Sequence, residues 1–119
     1  HPVYGISYVE MLQLEGTEAT RDVYSKDHWL QRLKVTLGLY PDQDHTITDC
    51  RFANEDDLGR DLGKIVLISN PLVLTRQAHR SDDLAHEYMT GVRTPDFHLE
   101  NDGDLDDLFV KVQRLAAIL

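Results

Sequence analysis

A chain of 119 residues, 41% of them hydrophobic, is enough for one core and reads as a single domain over residues 1–119. Twelve Lys and Arg against twenty-one Asp and Glu give a formal charge of −9, which excludes a nucleic-acid polymer as the expected partner but leaves room for a small phosphorylated ligand held by a local basic cluster. No run approaches the roughly 20 apolar residues of a membrane span, the first residues lack the basic and apolar regions of a signal peptide, and Cys50 as the single cysteine excludes an intrachain disulfide, so a cytoplasmic protein with no membrane partner is expected.

Pro2 and Gly5 mark residues 1–6 as a loop. Ser7 and Glu10 have the spacing of a capping box, in which each side chain satisfies an orphan backbone donor of the first turn. A helix is expected from residue 8 to about 15, with Tyr8, Val9 and Leu12 facing inward. Gly16-Thr17-Glu18 interrupts or ends it, and residues 19–24 resume as a short helix. Ser25 or Lys26 opens the next helix, in which Trp29, Leu30, Leu33 and Leu37 line one face. Gly38 takes its C-cap position and Pro41 lies beyond the stop. After a polar turn, residues 46–50 read as a short buried strand that breaks at Asp49 and Arg51, with Cys50 as a small apolar filler. Asn54 leads into a helix carrying Leu58 and Leu62 and closed by Gly63. The dipole alone accounts for Glu55, Asp56 and Asp57 in its first turn, at about 0.3–1 kcal/mol each.

Residues 64–69 form a continuous apolar run bounded by Gly63 and Asn70-Pro71, the pattern of a parallel strand buried on both faces. With strand 46–50 and the intervening helix it would make a βαβ unit. Residues 71–95 mix Arg76, His79, Arg80, Asp82, Asp83, His86, Glu87 and Arg93, with Ser81 capping a short helix that runs through Tyr88 and ends at Gly91. That composition suits a lid over a ligand and a solvated connection about equally. Phe97 and Leu99 alternate in a weak edge strand over 96–100, and Asp104 caps a last helix. The stripe Leu105, Leu108, Phe109, Val112 and Leu115 in that helix is expected to pack on the sheet.

Ligands of an open α/β sheet bind where the carboxyl ends of strands feed loops and helix N-termini. Asp49 and Arg51 stand at such a rim. An Asp there can hold a water or a magnesium-bound water, and an Arg fork matches phosphate oxygens in pairs. The local pattern by itself favours a structural pair between the two. His79 and His86 are seven residues apart, ~10 Å along even a continuous helix, too far to share a metal ion. Neither a G-x-S-x-G elbow, a CxxC pair nor a Gly-rich triphosphate loop occurs. Arg21, Arg51, Arg76 and Arg80 are the basic residues placed to meet a phosphate, and each reads equally as a surface ion pair.

Several short motifs occur in a familiar order. Met11-Leu12-Gln13-Leu14-Glu15-Gly16-Thr17-Glu18-Ala19-Thr20-Arg21 is followed by Trp29-Leu30 and Leu33, then by Thr48-Asp49-Cys50-Arg51-Phe52-Ala53-Asn54-Glu55. Leu62-Gly63-Lys64-Ile65-Val66-Leu67-Ile68, His79-Arg80-Ser81-Asp82 and Asn101-Asp102-Gly103 to Leu108 complete the series. Over nearly its whole length the chain resembles the phage-type deoxynucleoside monophosphate kinases, a branch of the P-loop kinases, and the Asp49 to Glu55 run is the most specific match.

That resemblance implies a three-layer parallel sheet of P-loop nucleotide kinase type, with ATP and Mg2+ as cofactors and a nucleoside monophosphate as phosphoryl acceptor. It places Arg21 and Arg51 on phosphates, Gln13 and Thr17 near the acceptor nucleotide, and Asp49 beside the metal. Arg76 and Arg80 on the lid-like segment would neutralise the transferring group, the kind of positioning and electrostatics that phosphoryl transfer needs. Asp82 stands where the family has a Glu. In the family the P-loop, its strand and the following helix precede the Leu-Gln stretch, whereas ten residues precede Met11 here. The chain is therefore expected to carry the acceptor and lid part, to be inactive alone, and to need a second polypeptide or a second copy to complete the sheet. The alternative is a non-catalytic nucleotide- or protein-binding module of phage origin, and the third reading is a small acidic α/β domain whose motifs serve packing alone.

Overall fold

The computed structural model describes residue 3 and residues 5–71 and 82–119. It divides the chain into two units, His1–Cys50 and Arg51–Leu119. Secondary structure is mixed, with helices in both units and a two-stranded parallel sheet in the second. No described helix is long and apolar enough to cross a membrane.

In the first unit Ser7 opens a helix as its spacing predicts. Its hydroxyl accepts from the Glu10 amide at 3.1 Å and the Glu10 carboxylate accepts from the Ser7 amide at 2.7 Å, which starts α1, Tyr8–Gln13. The chain is not interrupted at Gly16. It continues as a wider π-type winding over Leu14–Asp22, an arrangement rare beyond single turns. The Gly16 carbonyl accepts from the Trp29 indole at 2.9 Å and the Glu15 carbonyl from the Thr20 hydroxyl at 2.7 Å. The second helix, α2, is His28–Leu39, and runs through Gly38 to a cap at Tyr40. Leu30 is its buried residue, while Trp29 stays largely exposed. Tyr8, Val9 and Leu12 are exposed rather than inward. The residues turned into this unit are Thr17, Thr20, Arg21 and Leu30, so the buried side comes from the π winding instead of from α1.

The expected strand over 46–50 does not form. Residues 44–51 carry no regular structure and every one is exposed, Cys50 included. Asp49 adopts φ 63°, a left-handed backbone that no extended strand contains and that Asp tolerates better than most residues. The βαβ unit expected around that strand is absent for the same reason.

In the second unit the helix expected after Asn54 is α3, Ala53–Leu62, and Gly63 closes it with its amide on the Gly59 carbonyl at 2.9 Å. Strand β1 is Val66–Ser69, helix α4 is Asp83–Met89, and strand β2 is Phe97–Glu100. The two strands pair in parallel, Val66 opposite Phe97 and Ser69 opposite Glu100. Asp96 sets that register: its carboxylate accepts from the Ile65 amide at 2.9 Å and its own amide donates to the Ile65 carbonyl at 3.0 Å. The bond from the Ile65 amide, then one from Lys64 at 3.3 Å, hold the Asp96 carboxyl below the usual range. Gly91, at φ 76°, turns the chain out of α4 where a side chain would be strained. Asp104 caps α5, Leu105–Ala116, through the amides of Asp106 and Asp107 at 2.9 and 3.0 Å. Contrary to expectation, Leu105, Phe109 and Val112 on its stripe are exposed, and Leu108 and Leu115 are half-buried. Leu84, Tyr88 and Leu99 form the buried apolar part of this unit.

Candidate functional site

The residues proposed from sequence to meet a nucleotide fall in different places. Gln13, Thr17 and Arg21 follow one another at four-residue steps along α1 and the π winding, so they share one side of that segment. Thr17 and Arg21 are 4% and 6% exposed and Gln13 is half-buried. Asp49 lies in the irregular stretch that ends the first unit, and Arg51 begins the second. Arg76 and Arg80, together with His79 and Ser81, lie outside the described residues.

Arg51 owes its position to the start of α3. Its amide donates to a Glu55 carboxylate oxygen at 2.9 Å, and the Phe52 amide donates to the same oxygen at 3.1 Å. Glu55 thus acts as the reach-back half of a capping box, while Phe52 has no side-chain acceptor to supply the other half. The Arg51-Phe52-Ala53-Asn54-Glu55 run is therefore a helix start, with Arg51 exposed just ahead of the first turn.

The densest polar arrangement is one that sequence reasoning passed over. Asp56, in the first turn of α3, is 0% exposed. One carboxylate oxygen accepts a short hydrogen bond from the Tyr88 hydroxyl on α4. The other accepts from Arg60 Nε at 2.9 Å and from Arg93 at 2.5 Å. Arg60 also donates to the Tyr88 hydroxyl at 2.7 Å and the Thr94 carbonyl at 2.8 Å, and its guanidinium stands 5.9 Å from the Tyr88 ring centre. Arg93 reaches Glu87 at 2.7 Å and Asp57 at 2.9 Å. Burial pushes the Asp56 carboxyl up, but the bonds from Tyr88, Arg60 and Arg93 outweigh it and hold the group below the ordinary range. Burial, then the adjacent carboxylate, pushes the Tyr88 phenol up to about 12. Arg93 is held firmly cationic by Asp57 and Glu87.

Three carboxylates, Asp56, Asp57 and Glu87, meet two guanidiniums here. Among the described residues the cluster is one negative charge in excess and does not invite an anion. It is a clamp joining α3, α4 and the segment that leads into β2. The signal for half of it was legible, since Asp56 and Arg60 lie four apart on a helix face. Nothing in the sequence pointed to Tyr88 or Arg93.

Near the start of α5 a shallow hollow of about 420 Å³ is lined by Asp102, Gly103, Asp107, Val110, Lys111 and Arg114. Lys111 is already engaged there, donating to the Glu100 carbonyl at 2.7 Å and to Asp102. Among the described residues no group of three or more His, Cys, Asp or Glu is placed to hold a metal ion. Compared with protein families, with curated proteins and with solved structures, the chain finds no match.

Proposed function

We propose that this chain binds a nucleoside monophosphate, as the acceptor and lid part of a fold of the deoxynucleoside monophosphate kinase lineage with a three-layer parallel sheet. The observation that carries the reading is the run from Asp49 to Glu55. Its Arg-Phe and Asn-Glu pairs match the family's spacing, and the Glu55 bonds to the amides of Arg51 and Phe52 give that spacing a physical purpose, presenting an exposed guanidinium ahead of a helix N-terminus. In this reading Arg51 takes the monophosphate. Mg2+ and ATP would supply the metal-bridged phosphoryl donor. A single exposed carboxylate, Asp49, suits that ion through an intervening water, since Mg2+ keeps much of its hydration shell.

These 119 residues contain no Gly-rich triphosphate loop, so in this reading the phosphoryl donor is bound outside them, and they bind without turnover by themselves. Calorimetric titration with the four deoxynucleoside monophosphates is expected to show binding that Arg51→Ala weakens by about 1.5–3 kcal/mol, the worth of a charge-assisted hydrogen bond. Absence of binding to all four would end the proposal, and ATP-dependent turnover by the chain alone would overturn its division of labour. The second reading, a non-catalytic nucleotide- or protein-binding module of phage origin, would show no turnover with any added partner.

A further inference from the structure

Ser69 closes β1 and His98 stands second in β2. The register pairs Leu67 with His98 and Ser69 with Glu100, and because side chains alternate along a strand, Ser69 and His98 emerge on the same face, one diagonal apart. Ser69 Oγ lies 2.7 Å from His98 Nε2, a close approach for a hydroxyl and a ring nitrogen. With the imidazole proton on Nδ1, Nε2 accepts the hydroxyl hydrogen, the geometry in which a histidine removes a serine proton as the oxygen attacks. His98 is exposed and Ser69 half-buried, so Oγ is within reach of a reagent. The pair also sits toward the carboxyl end of β1, the end at which parallel sheets collect ligand chemistry.

We infer that Ser69 and His98 form a nucleophile and base pair that takes an acyl group from an activated ester. Oγ forms a bond to the acyl carbon, the bond from that carbon to the leaving oxygen breaks with its electron pair, and the hydroxyl proton passes to Nε2 and then to water. Neither residue takes part in the nucleotide reading, so the two stand or fall separately.

The test uses the full chain with p-nitrophenyl acetate, following release of p-nitrophenolate and locating the acetyl group by peptide mass spectrometry. The acetyl is expected on Ser69. Ser69→Ala and His98→Gln should each lower the rate at least about tenfold, since a positioned base contributes roughly 10²–10⁴. In His98→Ala, free imidazole should restore acetylation of Ser69 in preference to the chain's other hydroxyls and amines, a selectivity that acetylimidazole formed in solution would not give. Acetyl found on lysines alone, an unchanged rate in either variant, or no rescue by imidazole would each overturn the assignment.

Discussion

Asp56 is a carboxylate with no solvent contact, kept ionised by Arg60 of its own helix and by Tyr88 and Arg93 from two other segments. Replacing it with Asn leaves Arg60 and Arg93 facing a neutral group. Loss of one partner of a wholly buried pair costs about 3–5 kcal/mol. Arg60 and Arg93 keep 36% and 23% of their side-chain exposure, so water compensates in part and about 2–3 kcal/mol is expected for Asp56→Asn. The pH dependence has a definite sign. The folded carboxyl lies below its ordinary value, so its contribution is present in full above the unfolded value of about 3.9 and is lost as pH falls through the lower folded value. Asn does not titrate, and the stability difference between the two proteins should shrink in acid. Urea unfolding of both across the acid range measures it, and a difference that stays constant would show that the carboxylate charge is not what Arg60 and Arg93 hold.

Helix starts are local chemistry, and they were the most legible elements. The Ser7 and Glu10 box and the Asp104 cap each use partners within three residues, and both form as their spacing predicts. The run that became β1 was readable from apolar residues bounded by Gly63 and Asn70, and β2 from the alternation of Phe97 and Leu99, although their pairing with each other was not foreseen. What failed depended on distant partners. Residues 46–50 had strand-like composition but contain the left-handed backbone of Asp49, and the stripe of α5 read as core is in part exposed. Among the candidate site residues, sequence marked Asp49 and Arg51 as a rim but not that Glu55 fixes Arg51 through its backbone. Glu55 offers the test at this scale. Glu55→Ala removes the acceptor of two amides at the start of α3, and about 1 kcal/mol is expected, the usual worth of a cap. Amide exchange should quicken over residues 51–55 while the last turn of α3 keeps its protection, and equal acceleration along the whole helix would show that the loss is not local.

At the scale of the molecule, the formal charge of −9 makes self-repulsion a standing load that the ion-paired cluster around Asp56 locally offsets. Every bond of that cluster joins residues within Arg51–Leu119, one of the two units. The remaining tyrosines, Tyr4, Tyr8, Tyr24 and Tyr40, all belong to His1–Cys50, so residues 51–119 produced alone contain a single phenol, Tyr88. If the cluster is sufficient in itself, that phenol titrates near 12 in the fragment as in the full chain, far above its ordinary 10.0. Because the folded value is raised, the stability that Tyr88 contributes is complete below the unfolded value and disappears as pH rises through about 12. Tyr88→Phe should remove that alkaline loss and cost about 1 kcal/mol at neutral pH, the net worth of a hydrogen bond, with more if Asp56 is left short of a donor. Ultraviolet absorbance of the phenolate against pH reads the outcome directly. An ordinary phenol in the folded fragment would mean that the burial pushing Tyr88 upward requires the first fifty residues, and the clamp would then belong to the whole chain instead of to one unit.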